Sequence, residues 1–466
     1  MRDSCQYYLL PIGGMATATL AGLLVESGYR LCGVDGVLYP PASELLAELK
    51  VPVRLGFDPD AMPEVENAVV IGNAVPVTNP EVQAVLARGL PYTSQAALLG
   101  ELFCRGRKTV VVAGTHGKTT TTALAAHVLT SAGLDPTAFV GGVPRGGKPW
   151  RLGSGVWTVV EGDEYNTAFF DKGPKFLHYF PHIFVVNNVE FDHADLYPSL
   201  DAILAAFRAG VAQVGAEGWV VVNADDPGAR EVGPKAARVL WYGTSPRAQV
   251  RAQRFAHRCG QVVAEVSLDG TLAVLEAPLS GRHNLANLLA VAAIAHLAGV
   301  EVEALQRAVA SFPGIRRRLE VLGEAGGITV VDDFAHHPTA VRLTLEGARE
   351  RFPGRRLVVA FEPRSLTAGR AEFFPRYVEA FAVADAVVLA PVFHRNRLAP
   401  ELLLDREKLA RALRERGVTA VVVGDGEDPA SAALPLLASG DVFVAMSSGD
   451  FGGLSRRVLA ALGGTV

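Results

Sequence analysis

A β-branched run that passes directly into a glycine-rich loop containing lysine most constrains the fold of this chain. Residues 110–113 lead into Gly114-Thr115-His116-Gly117-Lys118-Thr119-Thr120, and the helix-compatible stretch 121–129 follows. Such a loop surrounds one point with backbone N–H groups and a helix N-terminus, which suits phosphate groups. Two residues separate the glycines, where the general P-loop has four. The sequence therefore predicts a short nucleotide loop, with Lys118 on the β- and γ-phosphates and the Thr119 hydroxyl on Mg²⁺.

Short β-branched runs alternate with helix-like segments along the whole chain. This alternation is typical of parallel α/β sheets. At roughly 150 residues per domain, the 466 residues suggest about three domains. We predict a Rossmann-like domain over residues 1–106 and a central P-loop ATPase-type domain over 107–315. A second Rossmann-like domain is expected over 316–466.

Composition excludes several classes of partner. The formal net charge is −4, so no strong field of one sign favours nucleic acid or an acidic membrane. No apolar run approaches the ~20 residues of a membrane span, and the N-terminus has no signal-peptide pattern, so a cytoplasmic protein is expected. The four cysteines lie far apart without a CxxC spacing, which predicts separate buried thiols in a reducing compartment.

Acidic and polar residues follow two further β runs. The run 156–160 precedes Glu161, and the run 183–186 precedes a polar loop that contains His193 between two aspartates. A hard cation takes oxygen ligands, and a neighbouring carboxylate can orient an imidazole. Taken alone, Glu161 would be an exposed acidic turn and His193 a structural histidine. The position of Glu161 after a β run, downstream of a P-loop, favours a Mg²⁺ ligand that would act with Thr119. The flanking aspartates make His193 a further candidate metal ligand.

These motifs resemble the Mur ligases of bacterial cell-wall synthesis. The short loop at 114–120 is similar to the P-loop of that family, and the segments 281–287 and 332–338 are similar to its adenine-side and C-terminal motifs. The resemblance covers essentially the whole chain, and it implies that the domain 1–106 binds a UDP-sugar and the domain 316–466 binds peptide and nucleotide. It implies a cytoplasmic, ADP-forming, ATP- and Mg²⁺-dependent acid–amino-acid ligase of peptidoglycan synthesis, cell shape and cell division. The family's nucleotide and metal residues correspond here to Lys118, Thr119, Glu161, His193, His283, Asn284, Asn287, Asp333 and either Arg317 or Arg318.

Within the family, several segments resemble the murein peptide ligase branch. These are residues 37–41, 89–94, 164–172, 188–195 and 446–453. The resemblance implies that UDP-N-acetylmuramate is joined to the recycled tripeptide L-alanyl-γ-D-glutamyl-meso-diaminopimelate; the alternative nucleophile is free L-alanine. Two positions depart from the family, because Pro11 and Asp450 stand where relatives have glycine. The substrate contacts expected by resemblance are Gly13, Gly14, Asp35, Asn73, His336, Arg364 and Ser365.

The resemblance implies that the muramoyl carboxylate attacks the γ-phosphate and that the incoming amine then attacks the acyl phosphate. Lys118, Glu161 and His193 are the expected catalytic residues, while His193, Asp192 and His336 all remain candidates for the base. Two other classes of function compete with a ligase. Asp35, about 20 residues after Gly14, is compatible with a nucleotide-linked dehydrogenase. A non-catalytic nucleotide-gated binding module is the other. We expect a monomer or weak dimer.

Overall fold

A computed structural model describes residues 4–192, 196–233, 238–258 and 260–465. Strands and helices alternate through these ranges and build three main sheets in chain order, of five, ten and six strands. The predicted α/β class and doubly wound architecture are therefore confirmed. In the part of the chain that the structure describes, no helix is both long and apolar enough to cross a lipid bilayer.

The first sheet is entirely parallel. Its strands run in the order β3-β2-β1-β4-β5, with helices between them. The order reverses at β1, which is where ligands bind in open α/β sheets. Its elements are β1 (Ser4–Leu10), α1 (Met15–Glu26), β2 (Leu31–Asp35), α2 (Ala42–Glu48), β3 (Val53–Leu55), β4 (Glu64–Ile71), α3 (Pro80–Ala87), β5 (Tyr92–Ser94) and α4 (Gln95–Leu99).

Two cysteines of this sheet are bonded to each other, so the expectation of separate thiols was wrong. Cys5 on β1 and Cys32 on β2 form a disulfide, with their Cα atoms 6.1 Å apart. The two residues are 27 positions apart in sequence, and only the parallel pairing of their strands brings them together. Cys104 is a buried free thiol, and Cys259 lies outside the described residues.

The second sheet places the P-loop strand at its centre. The strand order is β17-β16-β15-β14-β13-β12-β6-β9-β7-β8, and β6 lies between β12 and β9 with parallel pairing on both sides. The loops that follow these strands therefore meet at one edge. The elements are β6 (Lys108–Ala113), α5 (Lys118–Ser131), β7 (Thr137–Phe139), β8 (Trp150–Arg151), β9 (Trp157–Gly162), β10 (Asn166–Ala168), β11 (Asp171–Pro174), β12 (Pro181–Val186), α6 (Leu200–Ala212), β13 (Trp219–Asn223), α7 (Pro227–Val232), β14 (Val239–Gly243), β15 (Val250–Arg258), β16 (Gln261–Leu268), β17 (Thr271–Ala277), α8 (Arg282–Leu297) and α9 (Val302–Ala310).

Glu161 lies one position further inside the sheet than the sequence suggested. We expected the strand to end at residue 160, but β9 continues to Gly162 and pairs with β6 as far as Ala113. The ladder extends because the β6 backbone is still available as a partner at this point. Glu161 therefore has a fixed strand conformation.

The third sheet has an antiparallel edge strand, β18, and is otherwise parallel, in the order β18-β19-β23-β20-β21-β22. Every residue of β20 is fully buried, as expected for a parallel strand covered on both faces. The elements are β18 (Glu320–Ala325), β19 (Ile328–Asp333), α10 (Pro338–Arg351), β20 (Leu357–Phe361), α11 (Phe374–Phe381), β21 (Ala386–Leu389), α12 (Arg406–Glu415), β22 (Thr419–Val422), α13 (Pro429–Ala433), β23 (Val442–Met446) and α14 (Leu454–Ala461).

A directional chain of hydrogen bonds ties the P-loop helix to its neighbours. The Tyr242 hydroxyl donates to Asn187 Oδ1 (2.9 Å), and Asn187 Nδ2 donates to Thr121 Oγ1 (3.1 Å). Thr121 Oγ1 donates to Asn287 Oδ1 (3.1 Å), whose Nδ2 donates to Asn284 Oδ1 (2.9 Å). Asn187, Thr121 and Asn287 each accept one hydrogen bond and donate one within this chain. It fixes α5 against β12, β14 and α8.

Replacing Thr121 by valine keeps the side-chain shape but removes the central link of this chain. Asn187 then lacks an acceptor and Asn287 lacks a donor, so we expect a loss of about 1–3 kcal/mol in the free energy of unfolding. Thr122→Val is the matched control, because that hydroxyl donates only to the Lys118 carbonyl of its own helix. Urea denaturation and the thermal midpoint measure the difference. Equal stabilities of the two variants would contradict the role of the chain.

Candidate functional site

A cleft of about 1170 Å³ lies where the three sheets meet. Its wall combines the first unit (Pro40 and Glu44), the edge of the central sheet and the third unit. The predicted site residues that line it are Thr115, His116, Gly117, Lys118, Thr119, Thr120, Glu161, His283, Asn284, Asn287, Arg317, Asp333, His336 and Ser365. Gly13, Gly14, Asp35, Asn73, Gly114 and Arg364 are not in its lining, and His193 lies outside the described residues.

The short loop makes a tight turn into α5. Gly117 has φ = 81°, a left-handed conformation that favours glycine. A Cβ at this position would also collide with Oδ1 of Asn287. No side chain caps the N-terminus of α5. The first N–H groups of the helix therefore face the cleft without a capping side chain, and with the helix dipole they form an anion-binding site.

Lys118 is paired with a carboxylate that the sequence interpretation did not single out. Its Nζ lies 2.8 Å and 3.0 Å from the two carboxylate oxygens of Glu164, and it donates to the Gly114 carbonyl at 2.7 Å. Burial alone would lower the pKa of Lys118, but Glu164 and the neighbouring carboxylates outweigh it and raise that pKa above its usual value. Lys118 is therefore a firmly charged ammonium. The only sequence signal for Glu164 was its place in the acidic turn three residues after Glu161.

Thr119 and Glu161 bring two oxygen donors together. The Thr119 hydroxyl donates to Glu161 Oε1 at 3.0 Å, and the Gly141 N–H donates to Oε2 at 2.7 Å. Burial raises the pKa of Glu161 despite the nearby Lys118. A hard divalent cation would stabilise this buried carboxylate, and hydroxyl and carboxylate oxygens are its preferred ligands. These residues fit Mg²⁺. The loop that leads to His193 follows β12, which lies on the other side of β6 from β9.

The loop after β12 holds the P-loop from one side. Asn188 accepts from the His116 N–H at 2.7 Å and donates to the His116 carbonyl at 3.1 Å. The Glu190 N–H donates to the Thr115 hydroxyl at 2.9 Å. This loop therefore shapes the phosphate site directly, a role that the sequence interpretation did not assign to Asn188 or Glu190.

The adenine-side motif lies at the start of α8. Asn284 and Asn287 belong to the hydrogen-bond chain that reaches α5, so they couple this motif to the P-loop. His283 lines the cleft, and burial lowers its pKa to about 4. Among the described residues, its Nδ1 has no hydrogen-bond partner. A neutral imidazole with an unused nitrogen suits an uncharged heterocycle such as adenine.

The two arginines before β18 have different tasks. Arg317 donates to the carbonyls of Ser447 and Gly449, so its guanidinium holds the loop after β23. Arg318 instead reaches the P-loop, with Nη2 3.4 Å from the Thr119 hydroxyl. Of the two candidates for the phosphate contact, Arg318 is the one that the structure brings to the P-loop. The sequence could not separate two consecutive arginines.

Asp333, the expected ribose contact, is buried and bonded to the backbone of its own unit. It is 3% exposed, and its two oxygens accept from the N–H groups of Leu319 and Ala335, both at 2.7 Å. Burial raises its pKa even so. In this structure the carboxylate fixes the turn that presents Arg318.

A pair of histidine rings closes one side of the cleft. His116 of the P-loop and His337 of the third unit lie with ring centroids 4.9 Å apart. Burial lowers the pKa of each to about 3, so both are neutral. His336, the predicted residue, lies beside them, with Nδ1 3.1 Å from the Phe334 carbonyl. The sequence predicted a role for His336 but not the contact between His337 and His116, because that contact spans more than 200 residues.

Arg364 lies behind the cleft wall formed by Ser365 and Asp450. Its guanidinium carbon is 4.0 Å above the Phe393 ring, and Nη1 is 3.4 Å from Asp450 Oδ1 and 3.6 Å from Glu362 Oε2. Asp450, one of the two positions where we expect a departure from the family, is thus the partner of Arg364, the predicted peptide-binding arginine.

At the first sheet, Asp35 accepts from the Gly13 N–H at 2.7 Å and from its neighbour Gly36. Asp35 therefore fixes the loop that contains Gly13 and Gly14. Asn73 is exposed after β4. All these positions lie at the carboxyl ends of neighbouring strands, although outside the lining of the main cleft.

Comparisons with known proteins cover the chain in three parts. Residues 6–107 match "Mur ligase family, catalytic domain", residues 172–295 match "Mur ligase middle domain" and residues 317–449 match "Mur ligase, glutamate ligase domain". The UDP-N-acetylmuramate–L-alanine ligase of Burkholderia multivorans is 37% identical over 463 residues, which cover 97% of each chain.

Solved structures agree with this assignment. A murein peptide ligase from Psychrobacter arcticus is 30% identical with a TM-score of 0.75 and covers 99% of both chains. The UDP-N-acetylmuramate–alanine ligase of Thermotoga maritima has a TM-score of 0.82 at 24% identity and covers 98% of this chain and 99% of its own. The chain therefore belongs to the Mur ligase family, whose members are ATP-dependent ligases that form amide bonds.

Proposed function

We propose that the protein activates the carboxylate of UDP-N-acetylmuramate as an acyl phosphate and joins it to the amine of L-alanyl-γ-D-glutamyl-meso-diaminopimelate. The observation that carries the proposal is the arrangement of Lys118, Thr119 and Glu161 at the N-terminus of α5, in a cleft shared by three units. Such a cleft has separate walls for a nucleotide, a nucleotide sugar and a nucleophile.

The first chemical step brings two anions together. A muramoyl carboxylate oxygen attacks the γ-phosphorus, and the bond to the bridging oxygen of ADP breaks. The charged Lys118, the nearby Arg318 and the α5 N-terminus offset the repulsion and stabilise the charge that develops. Mg²⁺ held by Thr119 and Glu161 would supply further charge neutralisation on the phosphates.

The second step forms the amide. The amine nitrogen attacks the acyl carbon, and the carbon–oxygen bond to phosphate breaks after a tetrahedral intermediate. The amine must first give up a proton. His336 and Asp192 line the same cleft and are the candidates within the described residues; His193 is the third candidate on sequence grounds.

One observation favours the tripeptide as nucleophile. Asp450 and Ser365 line the cleft, and Arg364 lies behind them and pairs with Asp450, so together they would suit the ammonium group and the carboxylates of a diaminopimelate residue. A free alanine offers one small carboxylate and would not need this pair.

L-alanine is the second candidate, and whole-chain similarity favours it. The Burkholderia multivorans relative, named an L-alanine ligase, is 37% identical, against 30% for the murein peptide ligase from Psychrobacter arcticus. Both nucleophiles require the same phosphoryl-transfer chemistry at Lys118. They would differ only in the residues around Arg364 that bind them.

A direct substrate comparison tests the proposal. The protein is mixed with ATP, Mg²⁺ and UDP-N-acetylmuramate, and phosphate release is measured with the tripeptide or with L-alanine. We expect release with the tripeptide and little with L-alanine. Release with L-alanine alone would replace the tripeptide by the second candidate, and no release with either would refute the ligase proposal for these substrates.

Lys118→Met should lower kcat by at least about 100-fold, the loss typical of removing one group that stabilises the transition-state charge. The substitution also leaves Glu164 buried without its cation, so Lys118→Met/Glu164→Gln is the companion variant. It should recover the thermal midpoint but not the activity. Lys108→Met, an exposed lysine on β6, is the control. Activity near that of the control would contradict the role of Lys118.

Arg364→Met should raise the KM for the tripeptide by about 10- to 100-fold, because a charged hydrogen bond is worth about 1.5–3 kcal/mol. The KM for ATP should not change. Arg395→Met is a matched control, since Arg395 forms an exposed ion pair with Asp425. An unchanged tripeptide KM would remove Arg364 from the substrate site.

A further inference from the structure

Three potential metal ligands meet between the central unit and the third unit. His116 comes from the P-loop, Glu190 from the loop after β12 and His337 from the residue that caps α10. One ligand atom from each residue lies within 4.8 Å of the other two. The three ligands are far apart in the sequence, and only the fold brings their segments together.

The two imidazoles have nitrogens that no other described residue uses. His337 is only 1% exposed, and its Nε2 has no hydrogen-bond partner among the described residues. The same holds for Nε2 of His116, which lies 3.9 Å from Glu190 Oε1. Buried polar atoms are nearly always paired, so two such nitrogens beside a carboxylate indicate a ligand.

The carboxylate of Glu190 is already oriented towards the imidazoles. Its Oε2 accepts from the Thr339 hydroxyl at 2.9 Å and from Arg376 at 2.7 Å. These bonds fix one oxygen and direct the other, Oε1, to the His116 side. Hydrogen bonds of this kind, made to a ligand from outside the coordination sphere, are typical of metal sites.

We propose that His116 Nε2, His337 Nε2 and Glu190 Oε1 bind a divalent cation of the zinc class. Two imidazole nitrogens and one carboxylate oxygen suit Zn²⁺ or Co²⁺, whereas Mg²⁺ prefers oxygen alone. The site is therefore chemically distinct from the Thr119–Glu161 pair. It does not depend on the function proposed above.

Binding requires small movements that the side chains permit. Metal–ligand bonds of about 2.0–2.2 Å place tetrahedral ligands about 3.4 Å apart, so the three atoms must close in slightly. His337 must carry its proton on Nδ1, and the bond that Nδ1 now accepts from the Thr339 N–H is long, at 3.3 Å. A bound cation then joins the P-loop to the start of α10 and opposes separation of the two units.

Cobalt is the probe, because Co²⁺ with four ligands that include imidazole absorbs visible light far more strongly than octahedral Co²⁺. Untagged full-length protein is stripped with a chelator and titrated with Co²⁺ in excess Mg²⁺. We expect one equivalent to bind with intense visible absorption. Zn²⁺ should displace it and raise the thermal midpoint.

His337→Asn is the main variant, because asparagine still caps a helix but cannot supply Nε2. It should weaken Co²⁺ binding by more than about 100-fold, beyond the loss typical of an outer hydrogen-bond partner. Glu190→Gln, which keeps the side-chain shape, should also lose the intense absorption. This second variant decides the matter if His337→Asn does not fold.

The controls separate this site from others. Glu161→Gln should keep the intense absorption, because Glu161 belongs to the other cation site. His127→Asn, on the outer side of α5, should also keep it. Absence of the intense absorption in the wild type, its survival in His337→Asn or Glu190→Gln, or its loss in Glu161→Gln would each overturn the proposal.

Discussion

The buried hydrogen-bond chain from Tyr242 to Asn284 is the constraint on which the rest of the site depends. A P-loop can hold phosphate only if its helix keeps a fixed position relative to the strand before it. Here that position is set by Asn187, Thr121 and Asn287, each of which accepts one hydrogen bond and donates another within the chain. A shift of α5 by one residue would leave several of them unpaired at once. The apolar core alone would tolerate such a shift more easily, because hydrophobic contact is non-directional.

The same chain explains why distant motifs work together. Asn287 lies on the adenine-side helix and also contacts the P-loop helix, and its Oδ1 occupies the space beside Gly117. Nucleotide binding at one end of the cleft is therefore connected to the geometry at the other end. Across the cleft, Asp333 fixes the turn before β18, and Arg318 reaches Thr119 from the third unit. The central and third units thus meet at the atoms that would handle the γ-phosphate.

Local sequence patterns were sufficient to predict the α/β alternation, the P-loop and the position of the Glu161 carboxylate near the P-loop. Each of these depends on residues close in sequence, such as a β run followed by glycines or by an acid. Strand ends were less certain, since β9 extends to Gly162 only because β6 offers a partner there. Contacts between segments that are distant in the chain could not be predicted from the sequence. The Cys5–Cys32 bond, the choice of Arg318 over Arg317 and the meeting of His116 with His337 all follow from how the units pack. Glu164 was visible as an acid, but its pairing with Lys118 was not.

That pairing determines how a nucleotide can enter. Lys118 is paired with Glu164, so a phosphate that binds there would exchange one anion for another at the ammonium. The net gain in electrostatic free energy at Lys118 is then only the difference between its contact with phosphate and its contact with Glu164. Inorganic phosphate makes no adenine contact that could add to this small gain, whereas ATP reaches the adenine-side helix as well. At the proposed site, exchange of Glu164 for phosphate at Lys118 would thus favour neither ligand strongly, and selectivity for ATP would come from its contacts with the adenine-side helix.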